Sequence, residues 1–296
     1  MIGVLAQGRM GNQMFQFAFG YIAAAKLNTS FFLYKPTSLH YFKLFSNFET
    51  INSINYKKYA QRLLFKKSAL PFPKLNSKNK RNELFNWAVY KNIISWPNQL
   101  EGNQYLLSQL QDNVLYDGYF QSEKYYEKHE NKVRELFSLK EDVIKDFEKN
   151  KSTILRKKYI AVHLRRTDYI NHGAPELGGY DMTLPLSFYE KSLALIPNKD
   201  EYNVVFVSDD ISFIKQKFGE QSNYYYENNS EIVDFQILLN ADKLIIANSS
   251  FSWWAAWLNN NPNLAVYAPK YFLGFKVNKY YPAGIDVKKW NWIDVN

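Results

Sequence analysis

From Tyr159 onward the chain alternates short apolar runs with amphipathic stretches, and this rhythm constrains the fold more than any other feature of the sequence. The runs fall at 159–163, 203–208, 222–226, 243–247 and 264–268, and helices are predicted to start near Pro185, Asp210, Ser230 and Phe251. Strands separated by helical crossovers pair in parallel, and their continuous rather than alternating hydrophobicity means that both sheet faces are covered. Such sheets bind ligands beyond the C-terminal ends of their strands. The chain also begins in this way. Ile2-Gly3-Val4-Leu5 reads as a strand, Gly8-Arg9-Met10-Gly11-Asn12-Gln13 as a glycine turn, 14–25 as an apolar helix, and Phe31-Phe32-Leu33-Tyr34 as a second strand ended by Pro36. Between about 38 and 110 the pattern is irregular and helical, with a break at Pro71-Phe72-Pro73. A strand is predicted over 114–120, then helices from Ser122 and from about Glu141. The Lys-rich 149–158 stretch marks a boundary, giving domains 1–155 and 156–296. A length of 296 residues fits this division at roughly 150 residues per domain, so the expected class is α/β with two Rossmann-like lobes and a cleft between them.

Composition narrows the partners. The formal charge of +9 favours an anionic partner, whether a nucleotide, a nucleic acid or an acidic membrane surface. No Lys/Arg run is long enough to form a nucleic-acid arm, so nucleic acid is not expected as a partner. Tyr56-Lys57-Lys58-Tyr59, Arg62 and Lys66-Lys67 interleave basic and aromatic residues, which fits either a solvated helix face or a peripheral membrane contact. The aromatic share of 18%, with 23 Tyr and 22 Phe, provides amphipathic surface suited to sugars as well as core. Without cysteine the chain has no disulfide, thiolate metal site or cysteine nucleophile. No run reaches the roughly 18 apolar residues of a membrane span and no signal core precedes the first strand, so the expected location is cytoplasmic.

The chemistry gathers at predicted strand ends. After the apolar run Ile160-Ala161-Val162 come His163, Arg165, Arg166, Asp168 and Tyr169. Two guanidiniums there can clamp a diphosphate while Asp168 holds one of them by a charge-assisted hydrogen bond; a structural ion pair has the same local sequence. After Leu244-Ile245-Ile246-Ala247, the Asn248-Ser249-Ser250-Phe251-Ser252 turn opens a helix whose N–H groups suit a phosphate, or Ser249 simply caps it. Asp209-Asp210 can position a ribose, a metal or an arginine, or can cap a helix; no Asp-x-Asp metal triplet occurs, and no metal is expected. Asp234 sits on an apolar helix and needs a partner, and a guanine N1–H and amino group would satisfy both of its oxygens. No Gly-x-Gly-x-x-Gly follows a strand, which argues against a dinucleotide oxidoreductase.

Three motifs, Gly8-Arg9-Met10-Gly11-Asn12-Gln13-Met14-Phe15-Gln16, His163-x-Arg165-Arg166-x-Asp168-Tyr169 and Asn248-Ser249-Ser250-Phe251-Ser252-Trp253-Trp254-Ala255, together resemble glycosyltransferase family 11, the α-1,2-fucosyltransferases, essentially end to end. The resemblance implies a GT-B fold, no cofactor, and GDP-fucose as the donor substrate. It implies an inverting transfer of L-fucose to O2 of a terminal β-galactoside, with 1–155 as the acceptor lobe, the irregular segment shaping the acceptor pocket, and 156–296 as the GDP-fucose lobe. It assigns His163, Arg165, Asp209, Asp210, Asp234, Ser249, Ser250 and Phe251 to the donor, and Gly11, Asn12 and Gln13 to the fucose or acceptor side. Arg165, Asn12 and Asp168 are the expected catalytic residues. The implied partners are the nucleotide sugar and a galactose-containing glycan, with peripheral contact at the inner membrane face if that glycan is lipid-linked. Related enzymes with α-1,6 linkage or peptide acceptors share the His-x-Arg-Arg and Gly-Asn-Gln motifs, and a non-catalytic nucleotide-sugar-binding protein is a further alternative. The α-1,6 branch carries a glutamate base ten residues after the motif histidine, where this chain has Gly173. The base is therefore open among His172, Glu176, Asp181 and Asp168. The chain also has Arg9-Met10 where family members commonly have Gly-Leu.

Overall fold

In the computed structural model, which describes residues 2–34, 42, 44–46, 93–95, 107–112, 114–151 and 154–295, each half of the chain builds its own parallel sheet. The chain divides into units Met1–Ser138 and Leu139–Asn296. This division falls earlier than the Lys-rich boundary at 155/156, because the helix Glu141–Asn150 belongs with the second unit. The basic and aromatic segment at 56–67, and most of the irregular segment, lie outside the described residues.

The first unit contains β1 (Ile2–Leu5), α1 (Met10–Lys26), β2 (Phe31–Tyr34), β3 (Ile93–Ser95), β4 (Leu115–Asp117) and α2 (Glu130–Leu136). The sheet order is β2-β1-β4-β3, with every pair parallel. β3 corrects the reading of 38–110 as irregular and helical: three residues bounded by polar chain carry too little period to be read as a strand. α1 buries most of its length, and Phe17, Phe19, Ile22 and Ala23 supply its core face. Gly8 is required at the turn before it. Its φ is +71°, and a Cβ there would lie 2.2 Å from Asn12 Nδ2.

The second unit runs α3 (Glu141–Asn150), β5 (Tyr159–Leu164), α4 (Leu186–Ala194), β6 (Asn203–Ser208), α5 (Ile211–Phe218), β7 (Tyr224–Glu227), α6 (Glu231–Leu239), β8 (Lys243–Ile245), α7 (Ser250–Leu258), β9 (Ala265–Pro269) and β10 (Asn291–Ile293). Its order is β10-β9-β8-β5-β6-β7, all parallel. β5 lies at the centre with all six residues buried, and Ile160 pairs with Val204 on one side and Lys243 on the other. Burying each such branched side chain contributes roughly 1.5–3 kcal/mol. α7 is apolar on all sides and buried from Ser252 to Leu258, with Trp253, Trp254 and Trp257 among the largest fully buried side chains.

The aromatic C-terminal stretch is built into the second unit. β10 pairs with β9, Trp290 is buried against Trp253 with ring centroids 5.5 Å apart, and Trp253 Nε1 donates to Ile285 O at 2.9 Å. Three strand residues among turns give little periodic signal, but the burial of Trp290 and the N–H bonds of Trp253 to Ile285 O and Trp292 to Val287 O hold the segment in place. Among the described residues no helix is long and apolar enough to cross a membrane.

Candidate active site

The strand order of the second unit reverses beside β5: the chain passes from β5 to β6 and β7 on one side, and β8, β9 and β10 lie on the other. In sheets of this type the crevice beyond the strand C-termini at such a reversal is where ligands bind. Arg165 follows β5 and the Asn248-Ser249-Ser250 turn follows β8, so two of the three motifs flank this point.

Arg165 is oriented by acids. Its Nε and one terminal nitrogen donate to the two carboxylate oxygens of Asp168 at 2.8 and 2.9 Å, and its Nε lies 3.4 Å from Asp209 Oδ2. Desolvation by burial opposes its charge, but the Asp168 hydrogen bonds and the Asp209 charge outweigh it, and the pKa rises. The guanidinium stays cationic with its fork fixed on one edge. Arg166 does different work. Its backbone N–H donates to Asp209 Oδ1 at 2.9 Å, its Nε lies 3.5 Å from Asp210 Oδ2, and its guanidinium carbon sits 3.5 Å from the centre of the Phe213 ring. The structure thus divides the expected two-arginine clamp, with Arg165 presented at the strand end and Arg166 packed on α5.

Asp209 organises the turn rather than facing outward. Its oxygens accept from the backbone N–H groups of Arg166 and Thr167, at 2.9 and 3.1 Å, and from the Thr167 hydroxyl. Asp210 is the N-cap of α5 and accepts from Phe213 N at 3.3 Å. The capping alternative therefore describes Asp210, and both acids position arginines. His163 is buried in β5 beside Phe251, with ring centroids 5.7 Å apart. Burial, with the Arg165 charge, lowers its pKa to about 3, so it is neutral and carries no charge to a phosphate.

Tyr169 ties the two strand ends together. Arg165 Cζ lies 6.0 Å from its ring centroid, its hydroxyl donates to Asn248 O at 2.9 Å and also hydrogen-bonds the Ser249 side chain. Asn248 Nδ2 in turn donates to Met182 O at 2.9 Å, which pins the loop after β5 to the turn after β8. Ser249 stands at the N-cap of α7, yet its side chain accepts no bond from the helix's first turn, so it is not a simple serine cap. Phe251, half-buried, contacts Phe235 of α6 with ring centroids 5.4 Å apart, and Asp234 precedes Phe235 on that helix. Burial raises the Asp234 pKa to about 7, against the lowering effect of its 3.5 Å hydrogen bond from Asn229. Tyr169 and Asn248 were not among the expected site residues; their place inside the motifs was the only signal.

The candidate bases separate. Asp168 holds Arg165, and Asp181 Oδ1 accepts from the backbone and hydroxyl of Thr183 at 2.8 and 2.7 Å. Glu176 is exposed in a short 3₁₀ turn, and His172 is exposed with its ring stacked on Tyr169 at 4.6 Å. Gly173 cannot be replaced by a base in this loop, since a Cβ there would lie 2.2 Å from Gly179 O and 2.9 Å from Tyr180 O. In the first unit, Gly11 and Gln13 are buried in the first turn of α1, with Gln13 Nε2 donating to Gly8 O at 2.8 Å. Asn12 is half-buried and its Oδ1 accepts from Gln121 Nε2 at 2.9 Å. Among the described residues no three His, Asp or Glu side chains form a group able to hold a metal ion.

Comparison with known proteins identifies the family and the fold. The family model described as Glycosyl transferase family 11 matches residues 1–295. The O-antigen biosynthesis glycosyltransferase WbnK of Escherichia coli is 29% identical over 292 residues, which is 92% of this chain and 95% of that protein. An α-1,2-colitosyltransferase of Escherichia coli is 30% identical over 268 residues, 86% of each. Among solved structures, the apo form of POFUT1 aligns with a TM-score of 0.51 at 14% identity, covering 90% of this chain and 97% of that one. That likeness speaks for the fold alone, an α/β GT-B architecture with two parallel-sheet units.

Proposed function

We propose, from the premise that this chain belongs to glycosyl transferase family 11, that it transfers L-fucose from GDP-β-L-fucose to O2 of a terminal β-galactoside in a glycan, with inversion at C1. One observation carries the donor half of this reading: the acid-oriented Arg165 and the start of α7 lie at the two strand ends that flank the sheet reversal, joined through Tyr169 and Asn248. A fixed cation and a helix N-terminus on one crevice suit a diphosphate leaving group. Asp234, on the helix that contacts Phe251 through Phe235 and with a single 3.5 Å hydrogen bond from Asn229, suits the two N–H groups on one edge of guanine. The α-1,2 linkage is supported by the similarity to a protein named for α-1,2 transfer, and the glycan acceptor by the similarity to an O-antigen glycosyltransferase.

In this mechanism the bond from C1 to the β-phosphate oxygen breaks ahead of attack and an oxocarbenium-like centre develops. Arg165 and the first N–H groups of α7 meet the charge that builds on the diphosphate, and the acceptor oxygen closes on C1 from the opposite face. Asp168, Asp209 and Tyr169 act by holding these donors in position before the bond breaks. His163, neutral and buried, packs against Phe251 and brings no positive charge to the diphosphate. The first unit is proposed to bind the acceptor, with Asn12 on the side of the transferred sugar.

The test is incubation of the purified chain with labelled GDP-fucose and a panel of β-galactosides, followed by linkage analysis of the product. An α-1,2-fucosylated galactoside is expected. GDP binding without transfer to any glycan would leave a nucleotide-sugar-binding protein, and an α-1,6 or peptide product would change the acceptor. A parallel arm with colitose on the same nucleotide addresses a second donor, which the similarity to the colitosyltransferase favours.

A further inference from the structure

The chain between β9 and β10 takes no part in the proposed transfer, yet it gathers basic and aromatic side chains at one edge of the second unit's sheet. β9 ends at Pro269, and the edge strand β10 begins at Asn291. Tyr271 and Phe272 adopt left-handed φ angles of +67° and +54°, a backbone that bulky residues rarely take. Backbone hydrogen bonds hold the two limbs of the loop together, from Tyr281 N to Tyr271 O at 3.3 Å and from Leu273 N to Tyr281 O at 3.0 Å. The loop is therefore a fixed platform for what it carries.

Three of its rings are only half-buried and touch in series. Tyr271 meets Tyr280 with centroids 5.3 Å apart, and Tyr280 meets Trp292 at 5.6 Å. Lysines surround them. Lys270 Nζ lies 5.3 Å from the Tyr271 ring centroid and pairs with Asp294 at 2.8 Å, whereas Lys279, Lys288 and Lys289 are exposed and have no ion pair among the described residues. Trp292 Nε1 donates to Val287 O at 3.0 Å, which keeps Lys288 and Lys289 next to the rings. Asp286, half-buried, is the one acid between Lys270 and Trp292. At the tip of the loop, Val277 is exposed between Lys276 and Lys279. Lys276 Nζ donates to Asp181 O, so the patch adjoins the loop after β5, where Ile170 and Tyr180 are exposed as well.

We infer that this face of the second unit docks onto an anionic lipid bilayer, with its unpaired lysines at the headgroups and Val277 at the boundary with the acyl chains. Charge complementarity selects this occupant. Lysines without acidic partners lose nothing inside the protein when they meet a negative surface, and an exposed apolar tip gains from leaving water there. Half-buried Tyr and Trp rings, apolar in body and polar at one end, suit the same boundary. The rings do not form a sugar platform, because the planes of Tyr271 and Tyr280 cross at 63° and those of Tyr280 and Trp292 at 88°, which leaves no shared flat face. The contact is peripheral and does not depend on which nucleotide sugar the chain uses.

The test is co-sedimentation of the full chain with vesicles of phosphatidylcholine alone and with vesicles of equal parts phosphatidylcholine and phosphatidylglycerol. Binding is expected to the anionic vesicles only, and added salt should weaken it. Each lysine near such a surface contributes about fivefold to partitioning, so the combined variant Lys279→Gln, Lys288→Gln, Lys289→Gln should bind roughly 100-fold more weakly. Val277→Asp should weaken binding without any loss of positive charge from the lysines. Melting temperatures equal to the parent's would show that both variants keep the fold. Failure of the parent to bind anionic vesicles, equal binding to neutral ones, or binding by the lysine variant within about threefold of the parent overturns the proposal. Retention of the parent on an immobilised β-galactoside that is lost in the lysine variant, without vesicle binding, would assign the patch to a glycan and overturn it too.

Discussion

Substituting Asp234→Asn tests whether that carboxylate reads guanine, through pH rather than through a simple loss of binding. Burial holds the Asp234 pKa at about 7, so in the free protein about half of the population carries the charge at neutral pH. Accepting two N–H donors requires the ionised form. Apparent affinity scales with the competent fraction, which is about 9% at pH 6 and about 91% at pH 8 for a group titrating at about 7, so GDP should bind about tenfold more tightly at pH 8 than at pH 6. The nucleotide's own phosphate titration is common to parent and variant and cancels in the comparison. Titration calorimetry across this range should give a steep profile for the parent and one flatter by about a factor of ten for Asp234→Asn. A second readout follows from the sign of the shift. The folded state keeps a proton that the unfolded state loses above pH about 4, so Asp234 lowers the stability of the ligand-free protein as pH rises from there through about 7, and the asparagine variant should lack that decline. Parallel profiles for the two proteins would refute both the titration and the guanine contact.

Arg165→Ala should lower transfer by ~100- to 1000-fold with the fold retained, the usual consequence of removing one charge contact to a leaving group, whereas Arg166→Ala should act mainly on melting temperature because that side chain packs on Phe213. Equal losses of rate in the two variants would contradict the division between them. Tyr169→Phe removes the hydroxyl that satisfies Asn248 O and should cost about 1–3 kcal/mol in denaturant unfolding, with weaker GDP binding because the turn after β8 is no longer tied down. Transfer should persist in excess EDTA, since Arg165 and the start of α7 are proposed to meet the diphosphate charge; abolition of rate that is restored by a divalent cation would show otherwise.

The second unit was legible because its strands are buried on both faces. A continuous apolar run such as Ile160-Ala161-Val162 can be recognised without knowing its neighbours, and the turns that open α5, α6 and α7 carry Asp or Ser at the N-cap position, of which Asp210 caps through its side chain. β3 and β10 were not legible, because three-residue strands take their identity from the strand beside them. For the site, residue types at strand ends pointed to Arg165 and Ser249-Ser250, but not to how the two arginines differ. That difference depends on Phe213 and Asp210 lying under Arg166, which is a matter of tertiary placement. The neutrality of His163 was hidden for the same reason, since a histidine inside an apolar strand titrates according to what covers it. The boundary at Ser138/Leu139 assigns α3 to the second unit, and composition does not report which unit a helix joins.

The indole-rich body of α7 bears on how a turnover ends. The helix buries its own Trp253, Trp254 and Trp257, and Trp253 packs against Trp290 from the C-terminal stretch, so its body is held by close-packed core. The stretch from Arg166 to Thr183 is fastened to the turn after β8 by single hydrogen bonds, Tyr169 to Asn248 and Asn248 to Met182. For the proposed transfer, the rate at which GDP leaves is expected to respond to substitutions that weaken these loop contacts, such as Tyr169→Phe, more than to substitutions in the body of α7.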